Sequence, residues 1–332
     1  MKTRCITIDR EHPDLTAIAE AAEILRRGGI VAFPTETVYG LGANALDGAA
    51  VRRIFAAKGR PANNPVIVHV TSIAGARQLT TDWTAAAQRL AERFWPGPLT
   101  LVVKKQSHIP DEVTAGGPTV AIRCPQHAIA RALIDAAGVP LAAPSANASN
   151  RISATTAQHV LRTLDGRIDL VLDGGPACGG LESTVVDVSA SPVRVLRPGL
   201  ITAAELSAAL GDSVQAADHA VVDREAAPSP GMLARHYAPL VPLEVCVDGV
   251  DRARELANRG MRVGLLTHVA VPTESALIRL TVLPSDPGGY ASQLYQALYE
   301  LESSGVERIV VSTPPTGGEW TAIHDRLRRA SA

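Results

Sequence analysis

The chain has 332 residues, which suits two units better than one, and 46% of it is hydrophobic against only 3% aromatic, so Leu, Ile, Val and Ala must fill the cores. A formal net charge of −1 argues against a protein that coats nucleic acid, yet residues 1–200 carry 21 Lys+Arg against 17 Asp+Glu and the remainder 11 against 16, so the first part is mildly suited to anionic partners. Cys5, Cys124, Cys178 and Cys246 lie far apart with no CxxC pair, which argues against a zinc site or a disulfide framework. The start, MKTRCITIDREH, is too polar for a signal peptide, and no apolar run approaches the ~18 residues of a membrane span, so a cytoplasmic chain without a membrane partner is expected.

Taken in order, Leu15, Ile18, Ala22 and Leu25 fall at helical spacing, and Gly28-Gly29 stops that helix. Ile30–Phe33 reads as a buried strand that ends at Pro34, followed by Thr35, Glu36, Thr37 and a turn containing Gly40 and Gly42. Asp47 caps a helix to about Ala57, ended by Gly59 and Pro61. VIVHV (66–70), LTLVVKK (99–105) and TVAIRC (119–124) read as strands, HAIARALIDAAG as a helix, and PLAAPSA as a strand running into a polar loop. IDLVLD, TVVDVS and VRVLRPG give three more strands. Residues 211–241 are polar, proline-bearing and without a sustained period, and structureless segments of such length are usually functional or disordered. A clean α/β pattern follows, giving an expected division into 1–210, a linker or lid at 211–241, and a small unit at 242–332.

GLGANA fits a loose G-x-G-x-x-A, but six residues part it from the preceding strand and no acid stands about 20 positions on, so it is not a dinucleotide turn. No phosphate-cradling G-x-x-x-x-G-K-[ST] loop is present either. Polar residues gather instead at strand ends. Lys58, Arg60, Asn63 and Asn64 precede the strand carrying His69, and Lys58 stands out because the chain has four lysines against 28 arginines. Thr119 precedes and Arg123 sits on the next; Ser145, Asn147 and Ser153 follow another; Glu182, Ser183 and Thr184 precede a further one, and Arg197 ends the last. A buried guanidinium needs an anionic partner, and no carboxylate near Arg123 in sequence is obviously placed to serve it, which makes a bound ligand carboxylate a candidate. The set is rich in cations and hydroxyls and lacks a nucleophile–base pair. Such a toolkit suits holding phosphate and carboxylate groups, since reactions at phosphorus gain mainly from positioning and charge neutralisation, often with Mg²⁺.

FPTETVYGLGANA, KGRPANNPVIVHV, FWPGPLTLVV, PSANASNRIS, DGGPACGGLESTVVDV and VLRPG, in this order, resemble the YrdC-type L-threonylcarbamoyladenylate synthases, and SPGMLARHYAP with the unit after it matches their long, two-domain form. The resemblance implies a twisted mixed α/β sheet with a deep cavity and a small C-terminal Rossmann-like α/β domain. It also implies a reaction: L-threonine, bicarbonate and ATP, with Mg²⁺, give threonylcarbamoyl-AMP and pyrophosphate, and a partner enzyme passes the group to an adenosine beside the anticodon of tRNA. Direct nucleic-acid binding is expected to be weak or absent. Carried over position by position, Thr35, Thr37, His69, Arg123, Ala143 and Ser183 resemble the threonine pocket. Lys58, Arg60, Asn64, Thr119, Ser145, Asn147, Ser153, Arg197, His236 and Tyr237 resemble the ATP contacts, with Lys58 and Arg60 closest to the chemistry and no metal-ligating side chains among them. Two departures from the family's habit stand out: Leu233-Ala234 replaces a Lys-Tyr pair in the linker, and the serine loop has Asn150 and Ala154 where glycine and proline are usual. The rivals are a related carbamoyltransferase, whose acylphosphatase and zinc-finger segments the cysteine pattern lacks, and an RNA-binding module, which the weak basic excess supports only slightly.

Overall fold

The computed structural model describes residues 2–216, 236–272 and 275–332. Most of the expected linker, with Leu233, Ala234 and Arg235, lies outside the described residues, whereas His236 and Tyr237 lie within them.

Local chemistry sets the elements that carry the site. The Asp14 side chain accepts from the Thr16 N–H and starts the helix Leu15–Arg26, which buries the stripe Ala17, Ile18, Ala21, Ala22 and Leu25. Asp47 caps the helix Gly48–Lys58 through Ala49 and Ala50, and Gly59 ends it at a φ of 62°, a left-handed turn that costs glycine nothing. That stop fixes Lys58 in the last helical turn and turns the chain towards Arg60.

The strands of the first unit are β1 (Arg4–Thr7), β2 (Val31–Phe33), β3 (Gly40–Asn44), β4 (Ile67–His69), β5 (Thr80–Asp82), β6 (Leu99–Lys105), β7 (Thr119–Arg123), β8 (Leu141–Ala142), β9 (Leu170–Asp173), β10 (Thr184–Asp187) and β11 (Arg194–Arg197). They form one 11-stranded mixed sheet in the order β1-β9-β2-β3-β8-β4-β7-β6-β10-β11, with β5 on β6. The expected turn at Gly40 and Gly42 is instead strand β3, antiparallel to β2 with Val31 opposite Gly42 and Phe33 opposite Gly40. The glycines serve packing: a Cβ on Gly42 would stand 2.7 Å from the Phe33 ring. Residues 34–39, between these paired strands, therefore open from the middle of the sheet. Beside them, β4 and β7 run parallel with His69 opposite Arg123, β8 leads into Ala143–Ser145, and Arg197 closes β11. Side chains from five strand ends thus converge on one region.

The second unit is a four-stranded parallel sheet of β12 (Leu243–Cys246), β13 (Val263–Thr267), β14 (Ile278–Val282) and β15 (Arg308–Ser312), in the order β12-β15-β13-β14. Its helices Pro287–Ser303 and Thr321–Ala330 face the first unit. One apolar cluster joins Val38, Ile152 and Leu181 to Tyr290, Leu294, Tyr295 and Leu298, so the two units share a core. Gly180 marks how closely they approach, because a Cβ there would lie 2.3 Å from the Ala291 carbonyl oxygen.

Candidate active site

A narrow cleft lies where these strand ends meet, lined by residues from the loop after β2, from β4, β7 and β11, and from the segment after β8. One wall is the loop after β2. Thr35 Oγ1 donates to the Val38 carbonyl at 2.6 Å and lies 2.9 Å from Thr37 Oγ1, a hydroxyl turn that holds both threonines buried. Arg123, 4% exposed, reaches this loop from β7. Its Nη1 donates to Thr37 Oγ1 at 2.8 Å, its Nη2 to Glu36 Oε1 at 2.6 Å, and its Nε to the Gly97 carbonyl at 3.3 Å. No carboxylate near Arg123 in sequence serves it, but a distant one does: Glu36 pairs with it across 87 positions of sequence, and the fold brings the two together. Glu36 also accepts from the Gln126 N–H at 3.1 Å. Burial, with the Arg123 charge adding, pushes the neighbouring His69 imidazole down to about 3, so it sits neutral in the cleft.

The opposite wall is cationic. Lys58, 3% exposed, donates its ammonium to the carbonyls of Ser145 and Asn147. Burial, then the charge of Arg60, lowers its pKa well below the usual lysine value. Arg60 is held by its own loop, Nε to the Asn64 carbonyl at 3.0 Å and Nη2 to Asn64 Oδ1 at 2.5 Å and the Pro65 carbonyl at 2.7 Å, and burial pushes it down to about 10. Arg197 Nη2 reaches Ser183, its carbonyl at 2.9 Å and its hydroxyl at 3.1 Å, and Ser183 Oγ in turn lies 2.7 Å from Thr100 Oγ1. His236 is neutral, lowered by burial and by Arg60 and Lys58. Among the described residues Lys58 and Arg60 bond to carbonyl and amide oxygens, with no carboxylate in ion-pair range. Desolvated cations such as Lys58 and Arg60, held by neutral acceptors, are complementary to a polyanion.

Two family models match this chain: one described as Telomere recombination over residues 23–199, and one described as Threonylcarbamoyl-AMP synthase, C-terminal domain, over residues 201–332. A Bacillus subtilis protein named threonylcarbamoyl-AMP synthase is 42% identical over 322 residues, spanning 95% of this chain and 92% of its own. The chain belongs to the threonylcarbamoyl-AMP synthase family. A Pyrococcus abyssi synthase is 40% identical over 97% of this chain and 96% of its own. A crystal structure of P. abyssi Sua5 complexed with L-threonine superposes with a TM-score of 0.91 at 40% identity, covering 99% of this chain and 98% of that one.

Of the residues the sequence singled out, Thr35, Thr37, Arg60, His69, Arg123, Ala143, Ser145, Ser183, Arg197, His236 and Tyr237 line the synthase-type cleft. Lys58, Asn64 and Asn147 stand one bond behind the wall: Asn64 holds Arg60, and Asn147 ties Ala148 and Arg151 with its amide at 2.9 and 3.0 Å. Ser153 is also behind the wall and donates to Glu182. Thr119 is not brought to the cleft; it opens β7, pairs opposite Lys104, and lies about 13 Å along the strand from Arg123 at ~3.3 Å per residue. Glu182 is the charged member of the cleft to which the sequence assigned no role. It lines the wall, and burial pushes its carboxyl up, but the charges of Arg326 and Arg197 more than offset that and leave it ionised. Its signal in sequence was a lone carboxylate ahead of the apolar run TVVDV; its partners were not visible there.

Proposed function

We propose that the protein makes L-threonylcarbamoyladenylate from L-threonine, bicarbonate and ATP with release of pyrophosphate, and that a downstream enzyme transfers the threonylcarbamoyl group to an adenosine beside the anticodon of tRNA. The observation that carries this reading is one cleft with two unlike walls: Arg123 with Thr37 on one side, and Arg60 and Arg197 on the other, with Lys58 one bond behind through the Ser145 carbonyl. Threonine is read at the first wall, its carboxylate on Arg123 and its hydroxyl and amine among Thr35, Thr37, His69, Ala143 and Ser183. A neutral His69 adds no charge beside the amine, which must itself be uncharged to become a carbamate. Bicarbonate and the amine condense to the carbamate with loss of water. A carbamate oxygen then attacks the α-phosphorus of ATP, and the bond from that phosphorus to the bridging oxygen breaks to free pyrophosphate. Carboxylate, carbamate and triphosphate repel one another, and Lys58, Arg60, Arg123 and Arg197 offset that repulsion. Mg²⁺ arrives with the triphosphate as part of the substrate.

The same reading gives the division of labour. Residues 1–210 form the catalytic unit, 211–241 a lid, and 242–332 a small unit against which the lid's end rests. His236 and Tyr237 cover the cleft, and Ser145, Asn147 and Ser153 support the nucleotide. The product is a mixed anhydride that water destroys, so cover has a chemical purpose. Action in the cytoplasm with small-molecule substrates and little direct hold on tRNA completes the proposal. Incubation with ATP, threonine and bicarbonate, followed by detection of pyrophosphate and of the adenylate, tests it. Pyrophosphate release that does not depend on threonine would overturn it.

A further inference from the structure

Glu182 joins the cleft to the second unit. Its carboxylate, 6% exposed, accepts from Ser153 Oγ of the first unit, from the Tyr295 hydroxyl at 3.1 Å, and from Arg326 Nε at 2.7 Å, both of the second. The Arg326 side chain is completely buried, and its Nη1 binds Asp325 at 2.8 Å. Its guanidinium also lies 5.0 Å from the centre of the Tyr237 ring, which stacks against Tyr295 at 6.0 Å and meets His236 edge-on at 4.0 Å. The covering pair is pinned by its backbone too, His236 N–H to the Arg329 carbonyl at 3.1 Å and Ala238 N–H to the Asn150 carbonyl at 3.0 Å. Tyr237 takes a left-handed φ of 62°, which a bulky residue holds only when its surroundings fix it.

We propose that Arg326 is a positioning residue for the nucleotide: acting from the second unit through Glu182 and Tyr237, it keeps one wall and the cover of the cleft in place. The inference rests on the synthase reading above. Glu182 lines a cleft that is to take a triphosphate, and a carboxylate there is tolerable only while its charge is matched. Arg326 supplies that match without entering the cleft itself. It also places a cation over the face of the Tyr237 ring, a contact that helps hold that side chain in place. Among the described residues Arg123, the cation of the threonine wall, shares no hydrogen bond with this group, being held by Thr37, Glu36 and Gly97. Loss of Arg326 is therefore expected to fall on ATP and to spare threonine.

The test compares Arg326→Met, Glu182→Gln and the double variant with the wild-type protein. KM for ATP is read from threonine-dependent pyrophosphate release, and Kd for threonine and for a non-hydrolysable ATP analogue from calorimetry. Arg326→Met is expected to raise KM and analogue Kd about tenfold or more while threonine Kd stays within about twofold. The double variant should regain much of the loss, because no unmatched carboxylate then faces the nucleotide. An unchanged analogue Kd in folded Arg326→Met, or an equal loss for both ligands, would overturn the proposal. If Arg326→Met does not fold, Tyr295→Phe removes a single hydroxyl from Glu182 and is expected to raise the analogue Kd roughly two- to fivefold with threonine unaffected; no change there overturns it equally. A wild-type protein that binds the analogue more tightly than the variants but shows no threonine-dependent turnover would sink the synthase reading and leave the Arg326 coupling standing.

Discussion

Arg123 on one side of the cleft, and Arg60 with Lys58 behind the wall on the other, have opposite kinds of partner. Arg123 is neutralised before any ligand arrives, with Glu36 at 2.6 Å and Thr37 at 2.8 Å. Lys58 and Arg60 are as deeply buried, yet they hold only oxygens without net charge, and burial depresses both. At the first wall a ligand must fit around an ion pair already made, so geometry decides what is accepted. At the second, folding has buried cations whose compensation comes from the substrate, so binding a polyanion there recovers a cost already present in the free protein. One wall selects and the other attracts.

Breaking the attracting wall should have the larger effect. Lys58→Ala and Arg60→Ala are each expected to slow pyrophosphate release about 100-fold or more, with threonine Kd unchanged by calorimetry. Untouched ATP turnover in both would reduce them to ordinary charges. Arg123→Ala comes next: a charge-assisted contact in a desolvated site is worth about 2–5 kcal/mol, so threonine Kd should rise on the order of 30- to 4,000-fold while ATP-analogue binding holds. Equal losses for the two ligands would erase the distinction between the walls. Glu36→Gln sharpens it, because the amide still occupies the space but no longer orients Arg123 by charge. Threonine binding about tenfold weaker is expected; tighter binding would show that Glu36 competes with the ligand for Arg123.

The smallest effect concerns stability. His159, stacked on Tyr299 at 3.8 Å, is pushed down to about 4 by burial and by the charge of Arg162. In the unfolded chain its imidazole takes a proton near pH 6.5, and in the folded chain it does so only near pH 4. The unfolded state thus binds more protons across that window, and this group's stability is present above pH 6.5 and lost as pH falls towards 4. His159→Phe should flatten that slope, on the order of 1–3 kcal/mol across the window, in denaturant titrations at several pH values. An unaltered slope would assign the pH dependence elsewhere.

How much of this could be read in the sequence follows from the range of each interaction. The strands ending at Phe33, His69, Arg123 and Arg197 were legible because apolar runs, caps and glycine stops are local signals. Strand β3 was not, because its two glycines look like a turn when the ring of Phe33 that fills their space is unseen. Many of the residues singled out at strand ends lie together in the cleft, whereas their pairings were hidden. Glu36 and Arg123 are 87 positions apart and Glu182 and Arg326 are 144 apart, and each reads alone as a charge without a purpose. Thr119 shows the converse: a motif placed it among the contacts, and the direction of its strand carries it away.

Strand β1 pairs along its whole length with β9, Arg4 opposite Leu170 and Thr7 opposite Asp173. A chain emerging from the ribosome at about 5–20 residues per second must therefore wait roughly 10–30 s between making β1 and making its partner. Through that interval an exposed strand is open to pairing with another nascent chain. The sequence of β1 suits the delay: Arg4, Cys5 and Thr7 remain exposed even in the finished sheet, so little apolar surface is on offer while the strand waits. Strand β1 is also a terminal strand of the sheet, where a late pairing displaces nothing already built.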